Sequence, residues 1–238
     1  MITVASRPGP LDLDEARAAV LVIDMQNDFG ASGGMFDRAG IDIRGIGAAA
    51  AATGTVLTAA RDAGIPVVYL TMEHPADLSN AGPEDGPHWI KHKPLEVGAE
   101  VVAPDGSPTR TLVKDTWSTQ ILDELEPRPG DSVISKHRFS GFFETELNDV
   151  LRGLNARYLI VTGCTTSICV ESTVRDAMFR DYTCLVLEDC TAEPIGSDLP
   201  RTNHEASLLN IQTLFGWVSN SAELIQALPR TAKVIPAT

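Results

Sequence analysis

Apolar residues arrive along this chain in short dense runs, and each run ends in a polar or small residue. Ala18-Ala-Val-Leu-Val-Ile runs into Asp24, Pro66-Val-Val-Tyr-Leu into Thr71, Asp131-Ser-Val-Ile into Ser135 and Lys136, and Tyr158-Leu-Ile-Val into Thr162 and Gly163. Such runs suit strands covered on both faces. Thr183-Cys-Leu-Val-Leu-Glu188 adds a further strand, and Gly216-Trp-Val218 a last short one. Between the runs the period becomes helical. Ile46 to Ala63 is rich in alanine and stops at Gly64. Glu144 to Leu154 sets Leu147, Val150, Leu151 and Leu154 on one face, and Val170, Val174, Ala177 and Met178 repeat at helical spacing. Trp117 to Leu125, Leu199 to Leu214 and Ser219 to Leu228 are further predicted helices.

Strands alternate with helices throughout. This predicts a three-layer α/β/α fold, with a mostly parallel, doubly wound, Rossmann-like sheet. One domain is expected over residues 1–238, with 1–15 as a polar N-terminal extension. Residues 72–114 form a long stretch rich in Pro, Gly, His and charge. A loop of that length in a compact domain is usually functional.

Composition narrows the function classes. A formal net charge of −13 argues against a nucleic-acid surface, which needs a basic patch, and against an anionic membrane as partner. No apolar run is long enough to span a bilayer, and the N-terminus lacks the basic and apolar regions of a signal peptide. Four cysteines (164, 169, 184, 190) make neither a disulfide framework nor a zinc spacing. A cytoplasmic location with reduced thiols is expected, as is a homo-oligomer, dimer or tetramer. There is no G-x-x-x-x-G-K-[ST] and no G-x-G-x-x-G, and no cofactor is expected.

Three strand-end residues form a candidate site. Asp24 follows the first strand, Lys136 the third and Cys169 the fourth, so all three should project from the same sheet edge, where open α/β sheets place their chemistry. Singly, each has an ordinary reading: a turn-forming Asp, a solvated Lys, a small buried Cys. Together they make a thiol nucleophile, a cation and a proton acceptor. Cys169 is expected in the first turn of a helix, its pKa lowered by the helix N-terminus and by Lys136.

The stretches Val22-Ile-Asp24-Met-Gln-Asn-Asp-Phe29, Lys136 before Phe139-Ser-Gly-Phe-Phe143, and Thr162-Gly-Cys-Thr-Thr-Ser-Ile-Cys169-Val together resemble the isochorismatase-like cysteine hydrolases. Within them the chain is most similar to ureidoacrylate amidohydrolases, through Gly33-Gly34, Arg138-Phe-Ser-Gly-Phe-Phe143, Cys169-Val-Glu-Ser-Thr173 and Asn210-Ile-Gln-Thr-Leu-Phe-Gly-Trp-Val-Ser219. It also resembles biuret hydrolases, through Glu188-Asp-Cys190 and Val218-Ser-Asn-Ser-Ala222. The resemblance implies an Asp24–Lys136–Cys169 triad, a cis peptide at Cys164–Thr165, and an oxyanion hole from the backbone N–H groups of Thr165 and Cys169. It implies hydrolysis of a small linear ureido compound or amide through a covalent thioester-type intermediate. The nicotinamidases of this family carry a metal-binding Asp-x-His. Here Met72 replaces the Asp before His74, and no metal is expected.

Candidates for the specificity rim are Phe36, Glu73, Trp89, Arg138, Phe139 and Gln212. Arg138 suits a substrate carboxylate by its bidentate fork. A neutral, amide-rich substrate would ask more of Gln212 and Glu73. The alternatives are an isochorismatase or nicotinamidase-type activity, and a non-catalytic small-molecule binding module on the same fold.

Overall fold

The computed structural model describes residues 1–229. Residues 230–238, part of the expected domain span, lie outside the described residues. The chain opens with β1 (Ile2–Val4) paired antiparallel to β2 (Leu11–Leu13). The N-terminal segment is therefore more than a polar extension. Val4, Leu11 and Leu13 alternate with polar residues and are buried, in runs too short to stand out from the prolines between them.

Every residue of β3 (Ala18–Ile23) is buried. The first loop contains two single turns, α1 (Asn27–Gly30) and α2 (Met35–Arg38). The alanine-rich stretch forms α3 (Arg44–Asp62). Gly64 ends it at φ 75, a left-handed conformation that lets the Ile65 N–H turn back to the Ala60 carbonyl. β4 (Val67–Met72) extends one residue past the expected strand.

The 72–114 stretch carries structure of its own. α4 (Pro87–His92) begins on a proline, and β5 (Glu100–Val102) pairs with β6 (Pro108–Arg110). The helix expected over Trp117–Leu125 does not form. Two separate 3-10 turns, Trp117–Thr119 and Asp123–Leu125, stand there instead. The carbonyls a helix would use are already taken. Trp117 O accepts from Asn27 Nδ2, Thr119 O from Gln26 Nε2 and Gln120 O from the Asn27 backbone, each at 2.9 Å.

The rest alternates as expected: β7 (Ser132–Lys136), α5 (Leu147–Gly153), β8 (Tyr158–Cys164), α6 (Glu171–Met178), β9 (Thr183–Ala192), α7 (Asn203–Asn210), β10 (Trp217–Ser219) and α8 (Ser221–Ala227). α7 is shorter than its apolar pattern. Thr202 and Glu205 close a capping box at its start, and a π turn, Ile211–Phe215, follows it.

The six strands of the main sheet run parallel in the order β10-β9-β8-β3-β4-β7. α3 and α8 cover one face, meeting Val20, Val22, Tyr69 and Leu185. α5, α6 and α7 cover the other, meeting Leu21, Ile23, Val68 and Val161. The chain leaves β3 towards β4 and β7, then returns to β8 on the opposite side. The switch point therefore falls between β3 and β8, where such sheets open a crevice.

Gly163 makes that crevice possible. Its φ is 129, and a Cβ there would lie 2.2 Å from the Ile23 carbonyl oxygen on β3. Gly163→Ala should therefore lower unfolding free energy by about 3 kcal/mol or more in a urea titration. Gly153→Ala, whose Cβ meets nothing within 4 Å, should leave the midpoint unchanged or raise it. Equal midpoints for the two variants would show that the close approach of β3 and β8 is not a constraint.

Candidate active site

β3 hands its end to Asp24, which turns the chain sharply at φ 52. The Asp24 N–H donates to the Leu70 carbonyl at 2.9 Å, fixing the residue against β4. Lys136 closes β7, opposite Met72 on β4. Its stem is buried, and Nζ lies 3.8 Å from Met72 Sδ. That ammonium meets Asp24 Oδ2 at 2.7 Å, donates to the Arg138 carbonyl at 3.1 Å, and stands 3.5 Å from Cys169 Sγ.

Cys169 was expected in the first turn of an α-helix. It lies instead in a π turn, Thr166–Val170, that leads into α6. The Ile168 and Val170 N–H groups both donate to the Thr165 carbonyl. The peptide before that residue, Cys164–Thr165, is cis. Two further contacts hold the turn. The Cys169 carbonyl accepts from Thr173 Oγ1 at 2.7 Å, which in turn accepts from the Gly141 N–H. Glu193 lies buried beside it, accepting from the Ser167 N–H at 2.9 Å, Ser167 Oγ at 2.5 Å and the Ile195 N–H at 3.0 Å.

Burial decides the protonation of this cluster. It raises the Asp24 carboxyl above its ordinary range, against the opposing pull of Lys136. It also raises the Cys169 thiol, with the Asp24 charge adding to the effect and Lys136 only partly offsetting it. Burial alone would lower Lys136, but the charges of Asp24 and Cys169 hold it above its ordinary value. The expected low thiol pKa is therefore wrong for the resting site. Burial thus favours the protonated thiol at Cys169, and the two charges beside Lys136 favour its ammonium.

Thr165 and Cys169 border a cavity of about 220 Å³. Its other walls are almost wholly apolar: Phe29, Met35, Phe36, Met72, Leu95, Leu112, Phe139, Ile168 and Ile195, with Lys91 and His92 contributed by α4. Two residues of the first loop, missed as functional in the sequence, hold these walls. Asp28 accepts from the Met35 N–H at 3.0 Å and from the Leu112 N–H at 2.7 Å. Gln26 brackets Met72, donating to its carbonyl and accepting from its N–H. Their signal was their place directly after Asp24.

A model of the isochorismatase domain matches residues 18–223. The chain belongs to the isochorismatase family. It is 38% identical over 227 residues to the ureidoacrylate amidohydrolase RutB of Methylobacterium radiotolerans, covering 95% of this chain and 85% of that one. A cysteine hydrolase from Pseudomonas syringae pv. phaseolicola superposes with a TM-score of 0.75 at 26% identity, over 92% of this chain and 95% of that chain. The N-carbamoylsarcosine amidase of Thermoplasma acidophilum gives 0.62 at 25% identity, over 86% and 96%. The α/β sheet with helices on both faces is the fold of this family.

The expected rim divides. Phe36 and Phe139 border the cavity. Glu73, Trp89, Arg138 and Gln212 do not. Arg138 is committed elsewhere, donating to the Asn80 and His137 carbonyls at 2.8 and 2.7 Å. Glu73 accepts from Ser135 Oγ and faces Lys114. Gln212 accepts from Arg7 beside Glu188, on a separate cleft. Trp89 is half-buried on α4, while its neighbours Lys91 and His92 border the cavity. The helical turn of α4, invisible in a stretch read as loop, decides which of its residues face inward. Residue 72 is a methionine, and the His74 imidazole meets Asn80 Oδ1 at 2.7 Å.

Two substitutions test this geometry. Asp24→Asn removes the charge that, after burial, most raises the Cys169 thiol. Iodoacetamide should alkylate Cys169 faster in this variant at pH 8, while turnover falls by about 10²–10⁴-fold with the proton acceptor gone. Slower alkylation would show that Asp24 does not face the thiol. Glu193→Ala leaves the Ser167 and Ile195 amides without an acceptor. It should cost about 1–3 kcal/mol in denaturant unfolding and slow turnover as the turn loosens. Unchanged stability and rate would show that Glu193 does not hold the turn.

Proposed function

We propose that this protein is a cysteine amidohydrolase that cleaves the C–N bond of a small linear ureido compound or amide. One observation carries the reading: a buried carboxylate and ammonium stand behind a thiol that borders an apolar cavity, in a chain with 38% identity to a ureidoacrylate amidohydrolase. In this reading Asp24, Lys136 and Cys169 are the catalytic residues. A carbonyl carbon enters above Cys169. Asp24 takes the thiol proton as sulfur attacks, so the negative charge moves from carboxylate to substrate while Lys136 stays beside both groups. The tetrahedral oxyanion is received by the Thr165 and Cys169 N–H groups; removing one such donor costs about 3–4 kcal/mol in related chemistry. Asp24 then gives its proton to the departing nitrogen, and ammonia or an amine leaves. Water, deprotonated by the same carboxylate, releases the acyl group and restores the thiol. Where the acyl group is a carbamoyl, the product is carbamate, which decomposes to carbon dioxide and ammonia.

Charge conservation favours this order. Every proton passes through Asp24, from the thiol to the departing nitrogen and from water back to the thiol, so the site holds one negative charge beside Lys136 at each stage. A vinyl ether hydrolase would leave the thiol idle, and a binding module would leave the buried ion pair without a task. A cytoplasmic setting fits an enzyme that depends on a free thiol, and the four cysteines are all unpaired. We also infer that the enzyme acts as a homo-oligomer, a dimer or tetramer, which sedimentation would measure directly.

Ammonia release over ureidoacrylate, biuret, N-carbamoyl amino acids and nicotinamide should be greatest for a ureido compound, and should vanish in Cys169→Ala. The pH dependence follows from protonation. Asp24 must be ionised to accept the proton, and its pKa is raised, so kcat/KM should fall on the acid side at a pH above the ordinary 3.8. The thiol is raised above its ordinary 9.0, so no alkaline limb should appear there. Full activity of Cys169→Ala on every compound would overturn the covalent route.

A further inference from the structure

We propose that Lys91, at the mouth of the cavity, is the binding subsite for the carboxylate of an anionic ureido substrate. It would set a preference for ureido acids over neutral ureides. The inference rests on the ureido-hydrolase reading above and names the substrate class of that site.

A carboxylate entering an apolar cavity loses its water and needs a cation or donors in return. Lys136 cannot supply the cation, because Asp24 already holds its ammonium at 2.7 Å deep in the site. Arg138 does not border the cavity, and its Nη1 donates to two carbonyl oxygens outside it. His92 borders the cavity, but burial holds its imidazole below the ordinary range, so it enters as a neutral group. Lys91 alone remains. It is exposed, it borders the cavity, and no ion pair engages it among the described residues.

Geometry supports a divided task. Cys169 and Lys91 both border this one space, and Phe36, Phe139 and Leu112 are among its other walls. That arrangement suits a molecule with a ureido head at the thiol, a short flat apolar middle and an anionic tail near solvent. A lysine reaches such a tail by laying its stem along the apolar wall with the ammonium in the opening. The net charge of −13 makes a cation at the mouth more consequential, since the protein's overall field opposes an approaching anion.

The test compares 3-ureidoacrylate with its methyl ester, which differs only in the charge of the tail. Ammonia release is measured for wild type, Lys91→Ala, Lys91→Glu and Lys91→Arg. Lys91→Ala should lower kcat/KM for the acid by about tenfold to a hundredfold relative to the ester, through KM. Lys91→Arg should restore most of the preference, and Lys91→Glu should reverse it. Raising ionic strength should weaken acid binding in wild type and leave Lys91→Ala much less affected. An acid-to-ester ratio that is the same in wild type and Lys91→Ala overturns the subsite while leaving the ureido-hydrolase reading standing. Failure of wild type to release ammonia from either compound, with activity on another class in the panel, overturns that reading and the subsite with it.

Discussion

The ion pair between Asp24 and Lys136 is the constraint around which this molecule is arranged. A carboxylate and an ammonium are held out of water at 2.7 Å, with a thiol 3.5 Å from the ammonium. Removing one member of such a pair typically costs about 3–5 kcal/mol, because the other is left charged and buried. The pair therefore ties β3 to β7 across β4. Its two charges act in opposite directions on the Cys169 thiol, which burial raises most. The same low-dielectric surroundings that make the pair costly to break also raise the thiol.

Pre-organisation of the surrounding backbone follows from that arrangement. Gln26 and Asp28 place Met72, Met35 and Leu112 around the cavity, and Glu193 holds the turn beneath Cys169. Each of these side chains satisfies backbone groups that would otherwise be buried and unpaired. The polar residues near the site thus divide by task. Asp24, Lys136 and Cys169 form one buried cluster, and the others fix the walls of a small cavity within a close-packed domain.

Much of this was legible in the sequence because it depends on local pattern. The strands announced themselves as unbroken apolar runs, and their polar ends placed Asp24, Lys136 and Cys169 on one edge. What stayed hidden depends on contacts far apart in the chain. The turns at Trp117–Leu125 are set by Asn27 and Gln26, some 90 residues earlier. The raised thiol follows from how completely the fold buries it, and burial is not a property of neighbours in sequence. Arg138 was a sound choice for a carboxylate by its chemistry. Asn80, from the long loop, accepts from it first.

One modest feature of the fold bears on how copies of the chain can meet. β10 is the edge of the main sheet, and it is three residues long. In parallel pairing, only its central residue turns its backbone groups outward. Val218 does so, and both groups are taken: its N–H by the Arg7 carbonyl at 3.0 Å and its carbonyl by the Arg7 N–H at 2.8 Å. The N-terminal arm thus acts as a selvedge, finishing a border that would otherwise be a template for another strand. Growth by strand addition from copy to copy needs two raw borders per molecule, and this sheet has given one of them up.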